Sequence, residues 1–425
     1  MRKLILATLL VGSTLLANAQ SGTNSPYSQY GLGVLSDQTS GFNRGMNGVG
    51  LGFAEHDQVN YLNPASYSKL DSLSFIFDAG LSGQVTNFEE NGVKKNANNS
   101  NFEYVVAGFR AAKHVGLSFG IIPFTNVGYN YSTSGYVDPE SKNYTYTNTF
   151  SGSGGYHQVY FGAGWEPFKG FAFGANVSYL WGSTTRSVTS STTTDAKSLS
   201  RSYTSQVSSY KVDLGVQYTH KIAKSDWLTV GVTYSPGHDL GDAEMVMAST
   251  ATQTSQVFTD SFKIAKGIKL PEMLGAGLMW NHNQQWKVGF DYTLQKWGKL
   301  DYPTFENSQY VMRSGVYSDR SKYNLGFQYC YGERSRKFLN RVRYRAGLSY
   351  ATPYYKVNGV DGPKEISVSA GFGIPIVNSY NNRSFLNISG QWVKSSAKDL
   401  IKENSFRINI GFTFNENWFN KWKMD

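Results

Sequence analysis

Residues 405–414, SFRINIGFTF, alternate strictly between apolar and polar side chains. Side chains at every second position lie on one face of a β-strand, so this stretch predicts a strand with one apolar and one polar face. The same period recurs in residues 286–294, WKVGFDYTL, and in residues 171–181, FAFGANVSYLW. Alternation alone fits two classes: a soluble sandwich with the apolar face in its core, or a transmembrane barrel with that face toward lipid.

The number of strands and the lengths of their connections favour the barrel. The pattern predicts fourteen strands, near residues 72–88, 101–113, 115–137, 142–168, 170–190, 200–222, 226–250, 255–281, 285–300, 320–333, 341–356, 364–377, 384–396 and 405–414. The connections EENGVKKNANNS and TTRSVTSSTTTDAKSLS are long, whereas AAKH, EPFKG and KIAKSD are short. Long loops on one side and short periplasmic turns on the other are typical of outer-membrane barrels, although the tenth connection, YGERSRKFLN, is longer than this rule predicts.

The Ser/Thr-rich residues 183–205 have two interpretations. They form either a disordered loop or two long strands that extend beyond the bilayer. We favour the strands, because several predicted strands already exceed the ~10 residues that crossing a membrane requires.

Composition and charge exclude several other classes. Aromatic residues make up 15% of the chain, charged residues only 16%, and glycine occurs 44 times, a mixture rich in strand formers. Beyond the N-terminus no apolar run approaches the ~18 residues of a membrane-spanning helix, and the mean hydropathy is −0.38. The net charge of +10 is scattered and concentrates in predicted turns, which argues against nucleic acid and favours contact with anionic lipid or lipopolysaccharide.

The N-terminus resembles a secretory signal. A basic start, Met1-Arg2-Lys3, precedes the apolar run LILATLLVG and the sequence Ala17-Asn18-Ala19, which predicts cleavage near Gln20. Cys330 is the only cysteine, so the sequence predicts neither a lipid-anchored N-terminus nor an internal disulfide. We expect four parts in a protein of the bacterial outer membrane: a signal peptide (1–19), an N-terminal hatch (20–71), the barrel (72–414) and a C-terminal tail (415–425).

Residues 20–71 show no sustained alternation, yet they are rich in glycine and apolar side chains. The run GMNGVGLG lacks the spacing, the preceding strand and the Lys-Ser/Thr pair of a phosphate-binding loop. A flexible tail would expose the apolar side chains to solvent, so we expect the segment to plug the barrel lumen. The hatch residues that we expect to bind ligand are Phe42, Met46, Leu51, Phe53, Tyr61, Leu62, Asn63, Pro64 and Ala65.

The sequence RGMNGVGLGFAEHDQVNYLNPAS resembles the hatch of the FadL/TodX outer-membrane transporters of hydrophobic compounds, and we place it in a Bacteroidetes-like branch. The similarity continues through GYHQVYFGAGWEPFKGFAFGANVSYLWG and LPEMLGAGLMWNHNQQWKVGFDYTLQKW. It implies a plugged fourteen-stranded barrel whose ligand leaves sideways beside an inward kink in the third strand. Pro123 and Phe124 are the candidate kink, because proline cannot donate a ladder hydrogen bond; a strand-edge proline is the alternative.

Two functions remain. The first is passive uptake of a hydrophobic small molecule or lipid, such as a long-chain fatty acid, past the hatch. The second is a non-transporting subunit of an outer-membrane secretion or assembly complex, with the turn YGERSRKFLNR and the tail NWFNKWKMD docking a protein partner. We expect no enzyme activity, cofactor or metal, because the sequence contains no GxSxG, HExxH or EF-hand pattern, and His56 between Glu55 and Asp57 suggests only a solvated plug surface.

Overall fold

The computed structural model describes residues 22–137, 140, 144–192, 198–251, 256–306, 309–376 and 384–417. The predicted signal peptide and residues 418–425 of the predicted tail lie outside these residues. Fourteen antiparallel strands form one sheet, which closes into a barrel because the first strand pairs with both the second and the last. The predicted all-β, fourteen-stranded antiparallel barrel is therefore confirmed.

The first seven strands are β1 (Ser74–Glu90), β2 (Val93–Ala112), β3 (Val115–Tyr136), β4 (Thr145–Phe168), β5 (Phe171–Thr192), β6 (Ser198–Lys221) and the two-piece β7 (Asp226–Ser235, His238–Ala251). The others are the two-piece β8 (Gln256–Leu270, Met273–His282), β9 (Trp286–Gln295), β10 (Arg320–Tyr329), β11 (Arg343–Ala351), β12 (Lys364–Ile376), β13 (Ser384–Ser396) and β14 (Lys402–Asn417). Strand β14 ends at Asn417, so residues 415–417 belong to the barrel rather than to the predicted tail.

The two faces of each strand show why the sheet is a membrane barrel. In β14, Ile408 and Ile410 are 47% and 49% exposed, whereas Asn409 between them is 2% exposed. The apolar face therefore points outward and the polar face inward, the reverse of a soluble sandwich. This arrangement indicates an outer-membrane protein. No helix within the described residues is long and apolar enough to cross a membrane.

The predicted long connection between β1 and β2 is wrong. We expected EENGVKKNANNS to form a long loop, but β1 continues to Glu90 and β2 starts at Val93. Asn91 and Gly92 make the turn with φ values of 47° and 81°. Asn-Gly is a strong signal for a two-residue hairpin. The residues that follow it are mostly polar, so apolar alternation did not predict the start of β2.

The barrel wall is taller on one side than on the other. Strands β2 to β6 contain 20 to 24 residues, whereas β9, β10 and β11 contain 9 or 10. Strands β5 and β6 include most of residues 183–205, as we favoured over a disordered loop. On the lower side, two small hairpins fill the connections: Tyr302–Glu306 with Gln309–Arg313, and Lys356–Val357 with Val360–Asp361.

Residues 22–71, here called the N-terminal segment, run through the inside of the barrel. They form a 3₁₀ helix (Pro26–Gln29), a short strand (Val34–Leu35), one helical turn (Gly41–Arg44) and a second 3₁₀ helix (Pro64–Lys69). Their side chains and backbone bond to inward-facing groups of β2, β6, β9, β11 and β14. Because these strands are distributed around the whole circumference, the segment lies within the lumen.

Candidate functional site

The apolar side chains of the N-terminal segment are covered by protein. Phe42, Met46 and Phe53 are at most 1% exposed and pack against Val49 and against Met279 of β8. Leu51 and Tyr61 are 4% and 7% exposed, and Leu62 is partly buried. A ligand therefore reaches Phe42, Met46 and Phe53 only after the segment moves, whereas Leu51, Tyr61 and Leu62 also border an internal cavity.

Asn63, Pro64 and Ala65 start the second 3₁₀ helix. Asn63 has extended geometry (φ −133°, ψ 107°), as expected for a residue before proline, and its side-chain oxygen accepts a hydrogen bond from the Ala65 amide at 3.1 Å. Its Nδ2 donates to the carbonyls of Leu51, at 2.8 Å, and Val216, at 3.2 Å. Asn63 thus connects the start of the helix with strand β6 and with residues 45–52, here called the glycine-rich stretch.

A row of strand glycines makes room for this helix. Gly116, Gly164, Gly174 and Gly215 are paired neighbours across β3, β4, β5 and β6. A Cβ atom on Gly116 would lie 1.9 Å from the Tyr67 carbonyl oxygen, and one on Gly164 or Gly174 would lie 2.5 Å from the Pro64 oxygen. The helix backbone therefore lies directly on the strand backbone, closer than any other residue type permits.

A second group of glycines follows the glycine-rich stretch around the barrel. Strands β7 to β11 contribute Gly231, Gly277, Gly289, Gly326 and Gly347, and a Cβ on each would lie within 3 Å of Leu51, Val49 or Met46. The sequence pattern did not predict either group of glycine contacts. The sequence did contain a sign of these contacts, because the glycines occupy inward-facing positions of strands β3 to β11, where side chains normally fill the lumen of a barrel.

Buried polar groups hold the glycine-rich stretch in place. The carboxylate of Asp291 on β9 accepts hydrogen bonds from the amides of Gly50, at 2.7 Å, and Leu51, at 2.9 Å. Within the segment, Asn60 Nδ2 donates to the carbonyls of Gly50 and Phe53, both at 2.7 Å. These hydrogen bonds hold the backbone of residues 50–53, where the glycines contribute no side-chain contacts.

Ion pairs attach the segment to the barrel. Asp37 pairs with Arg407 and Lys322 and is half-buried, Glu55 is buried and pairs with the half-buried Lys287, and two pairs are buried on both sides, Arg44 with Glu103 and Asp57 with Arg343. The last is bidentate, with Arg343 Nη1 and Nη2 at 3.1 and 2.8 Å from the two Asp57 oxygens. Since removing one partner of a buried pair leaves an unpaired charge, these contacts make displacement of the segment costly.

The ion pairs shift the pKa values of the segment's carboxylates. Burial acts to raise the pKa of Glu55, but Lys287 and Arg343 lower it to about 2. Burial likewise opposes ionisation of Asp37, yet Lys322 and Arg407 hold its pKa well below the usual range. Burial lowers the pKa of His56, whereas its hydrogen bond with Asp71 and the nearby Asp57 outweigh burial and raise it.

Glu55, His56 and Asp57 were expected to form a solvated plug surface, and this is wrong for the two carboxylates, which are 3% and 0% exposed. One potential ligand atom from each of the three residues lies within 4.8 Å of the others. Because Lys287 and Arg343 already neutralise the carboxylates, the group is arranged as an ion-pair network.

The remaining space between the segment and the barrel has a mixed lining, in which the predicted ligand-binding residues Leu51, Tyr61 and Leu62 stand beside charged side chains. A cavity of about 240 Å³ lies beside residues 34–39. Its charged lining residues are Asp37, Lys211, Asp213, Asp291, Arg320, Lys322, Glu365 and Arg407. An apolar ligand there would contact Leu51, Tyr61 and Leu62, but it would also remove water from the charged groups without replacing their hydrogen bonds, which weakens its binding.

Strands β2 and β3 separate beside Pro123. Residues 105–112 of β2 pair with residues 115–121 of β3, and that pairing ends at Ile121. On the other edge of β3, the register with β4 shifts between Pro123 and Thr125, so Phe124 is the extra residue of a bulge. The short strand Val34–Leu35 pairs with Asn126 and Thr125 from inside the barrel. The N-terminal segment thus covers the start of the break.

A family model named BamG matches residues 1–425, the whole sequence. The chain belongs to the BamG family. A search of curated proteins found no match.

Several solved structures share this fold. The BamG chain is similar to the CymD monoaromatic hydrocarbon channel, with 16% identity, a TM-score of 0.58, and coverage of 90% of this chain and 98% of that one. It is similar to a FadL homologue of Pseudomonas aeruginosa, with 11% identity, a TM-score of 0.60, and coverage of 89% and 99%. It is also similar to the toluene transporter TodX of Pseudomonas putida, with 15% identity, a TM-score of 0.59, and coverage of 92% of this chain and 100% of that one. The predicted FadL/TodX resemblance is confirmed at the level of fold, and the Bacteroidetes-like branch stays a prediction.

Proposed function

We propose that this BamG-family protein is a non-transporting structural subunit of an outer-membrane protein secretion or assembly complex. A signal peptide exports it, its apolar outer face contacts outer-membrane lipid, and its tall wall meets lipopolysaccharide. Family membership over the whole chain is consistent with this role. A non-enzymatic role agrees with the structural neighbours, which include a hydrocarbon channel and a toluene transporter.

The observation that carries the proposal is how the N-terminal segment is held. Its apolar side chains are buried on glycine rows, and its charges are paired with barrel residues such as Arg343 and Glu103. A transport hatch needs ligand-accessible apolar surface, whereas here Phe42, Met46 and Phe53 are covered, and the internal cavity that Leu51, Tyr61 and Leu62 border is also lined by eight charged side chains. A sealed barrel is a rigid scaffold on which other proteins assemble.

Purification tests this proposal. An affinity-tagged chain, expressed at its natural level, is extracted in gentle detergent and its partners are quantified against a tagged barrel of unrelated function from the same membrane. The proposal predicts a partner at constant stoichiometry in the first sample and not in the second. Recovery of a lone barrel carrying bound apolar lipid would contradict it.

Passive uptake of a hydrophobic compound is the second candidate, and the break beside Pro123 favours it. A bulge at the edge of a strand gap gives an apolar solute a route from the lumen into the bilayer, and each buried methylene contributes ~0.8 kcal/mol to solute binding. Deleting Phe124 removes the extra residue of the bulge and is expected to lower fatty-acid uptake several-fold, whereas Ile121→Val is the neutral control. Equal uptake by both variants would exclude lateral exit at this break.

A further inference from the structure

Two strand edges face each other above the break between β2 and β3. Among the described residues, the part of β2 before Val105 pairs only with β1. The part of β3 after Ile121 pairs, on the side that faces β2, only with the short strand Val34–Leu35. The facing stretches are residues 93–102 of β2 and 127–135 of β3. A barrel normally removes such edges by closure, so a long open pair is unusual.

The hydrogen-bonding groups of this edge can be assigned by residue parity. In an antiparallel strand the amide and carbonyl of one residue point to the same side, and successive residues alternate. The Phe124 carbonyl bonds to the Ser36 amide inside the barrel, and the amide and carbonyl of Gly128 both bond to the Ser28 hydroxyl. By the same parity, the backbone groups of Asn130, Ser132 and Ser134 point into the gap.

The chain itself shows that this edge accepts a strand. Val34 and Leu35 pair antiparallel with Asn126 and Thr125, immediately before the open stretch. Farther out, the side chains of Ser28 and Asn24 substitute for a backbone partner, bonding to Gly128 and to the Asn98 carbonyl of β2. Past these contacts the edge of β3 is exposed.

A large space lies inside the barrel next to both edges. This cavity of about 1110 Å³ is lined by residues 93 and 95–97 of β2, residues 129–133 of β3 and the N-terminal segment, and also by residues 151–153, 185, 187, 357–358 and 399–401 across the barrel. Small-molecule pockets typically hold about 300–1,000 Å³. The lining carries tyrosines, asparagines and serines, including Tyr27, Tyr30, Tyr129 and Tyr131, which suit a strand with alternating aromatic or aliphatic and polar side chains.

We propose that an extended segment of a partner protein adds as a β-strand to the edge of β3 at residues 130–134, between β2 and β3. This inference rests on the proposed role as a complex subunit and names the docking site. Main-chain hydrogen bonds would hold the partner strand, and its alternate side chains would enter the tyrosine-lined cavity.

Photo-crosslinking in the intact outer membrane tests the docking site. The benzophenone amino acid p-benzoylphenylalanine is placed singly at Asn130, Ser132 and Ser134, with Thr149 as the matched control. Thr149 lies opposite Ser132 on β4, and both edges of β4 are paired there. Cross-strand neighbours lie ~5 Å apart, so a docked strand gives crosslinks whose partner positions advance by two residues from one probe site to the next.

A regular two-residue spacing at the three edge sites, without partner crosslinks at Thr149, supports the proposal. Ser132→Pro removes one edge amide and is expected to lower partner recovery about tenfold, whereas Ser132→Ala keeps the amide and full recovery. A partner that copurifies but crosslinks nowhere on this edge, or without regular spacing, overturns the docking site alone. A barrel that purifies without any partner overturns the complex role as well, and crosslinks to a second copy of this chain overturn the choice of partner.

Discussion

The contact between the glycine row and the second 3₁₀ helix makes a quantitative prediction. In Gly116→Ala the new Cβ would lie 1.9 Å from the Tyr67 carbonyl oxygen, whereas ordinary contacts begin near 3.4 Å. The helix Pro64–Lys69 must therefore move by 3.4 − 1.9 = 1.5 Å, or the strand must bend. Overpacking of this kind typically costs ~1–3 kcal/mol, and backbone atoms on both sides leave no flexible side chain to yield.

Gly83→Ala is the matched control, since Gly83 also lies within a barrel strand and a Cβ there meets nothing within 4 Å. Alanine is favoured over glycine in a strand by ~0.5–1 kcal/mol, so this variant is expected to be slightly more stable. The assay is urea unfolding in detergent followed by tryptophan fluorescence, with limited proteolysis of the N-terminal segment as a second readout. Equal stability and equal protease resistance of the two variants would refute close backbone packing at Gly116.

Three further predictions concern the polar contacts of the segment. Asp291→Ala removes the acceptor of two amide hydrogen bonds and is expected to cost ~2–4 kcal/mol in urea unfolding, with Asp291→Asn milder; no difference from wild type would contradict the anchoring role. Arg343→Met leaves the buried Asp57 carboxylate without its partner and is expected to cost ~3–5 kcal/mol, which the double variant with Asp57→Leu should largely restore. The folded-state pKa of His56 is raised above 6.5, so the stability that protonated His56 contributes is complete below pH 6.5 and is lost as the pH rises through the folded-state pKa. His56→Gln is therefore expected to flatten the dependence of unfolding free energy on pH in that window. An unchanged dependence would exclude the contact with Asp71.

The sequence predicted the barrel well because alternation is a property of each strand by itself. Ile408 and Ile410 point outward whichever strand lies beside β14, so no tertiary information was needed. The turn at Asn91-Gly92 was missed because the flanking residues of β2 are polar on both faces, where the strand extends above the lipid. A part of a strand that does not contact lipid needs no apolar face, so it shows no apolar alternation.

The interior was less predictable. The apolar character of Phe42 and Phe53 correctly placed them away from water, but it could not distinguish a side chain available to a ligand from one already packed against the segment and Met279. The partners of Asp57 and Glu55 lie more than 200 residues away along the chain, on β11 and β9. Local sequence patterns carry no record of such pairs, so adjacent charges were read as a solvated surface.

Depletion of the protein tests its proposed role most directly. After expression is switched off, the amounts of other outer-membrane barrel and secreted proteins are measured alongside the uptake of a labelled long-chain fatty acid. A structural subunit of an assembly or secretion complex predicts that those proteins decline while uptake per cell stays constant. Loss of fatty-acid uptake with a normal outer-membrane proteome would contradict the account.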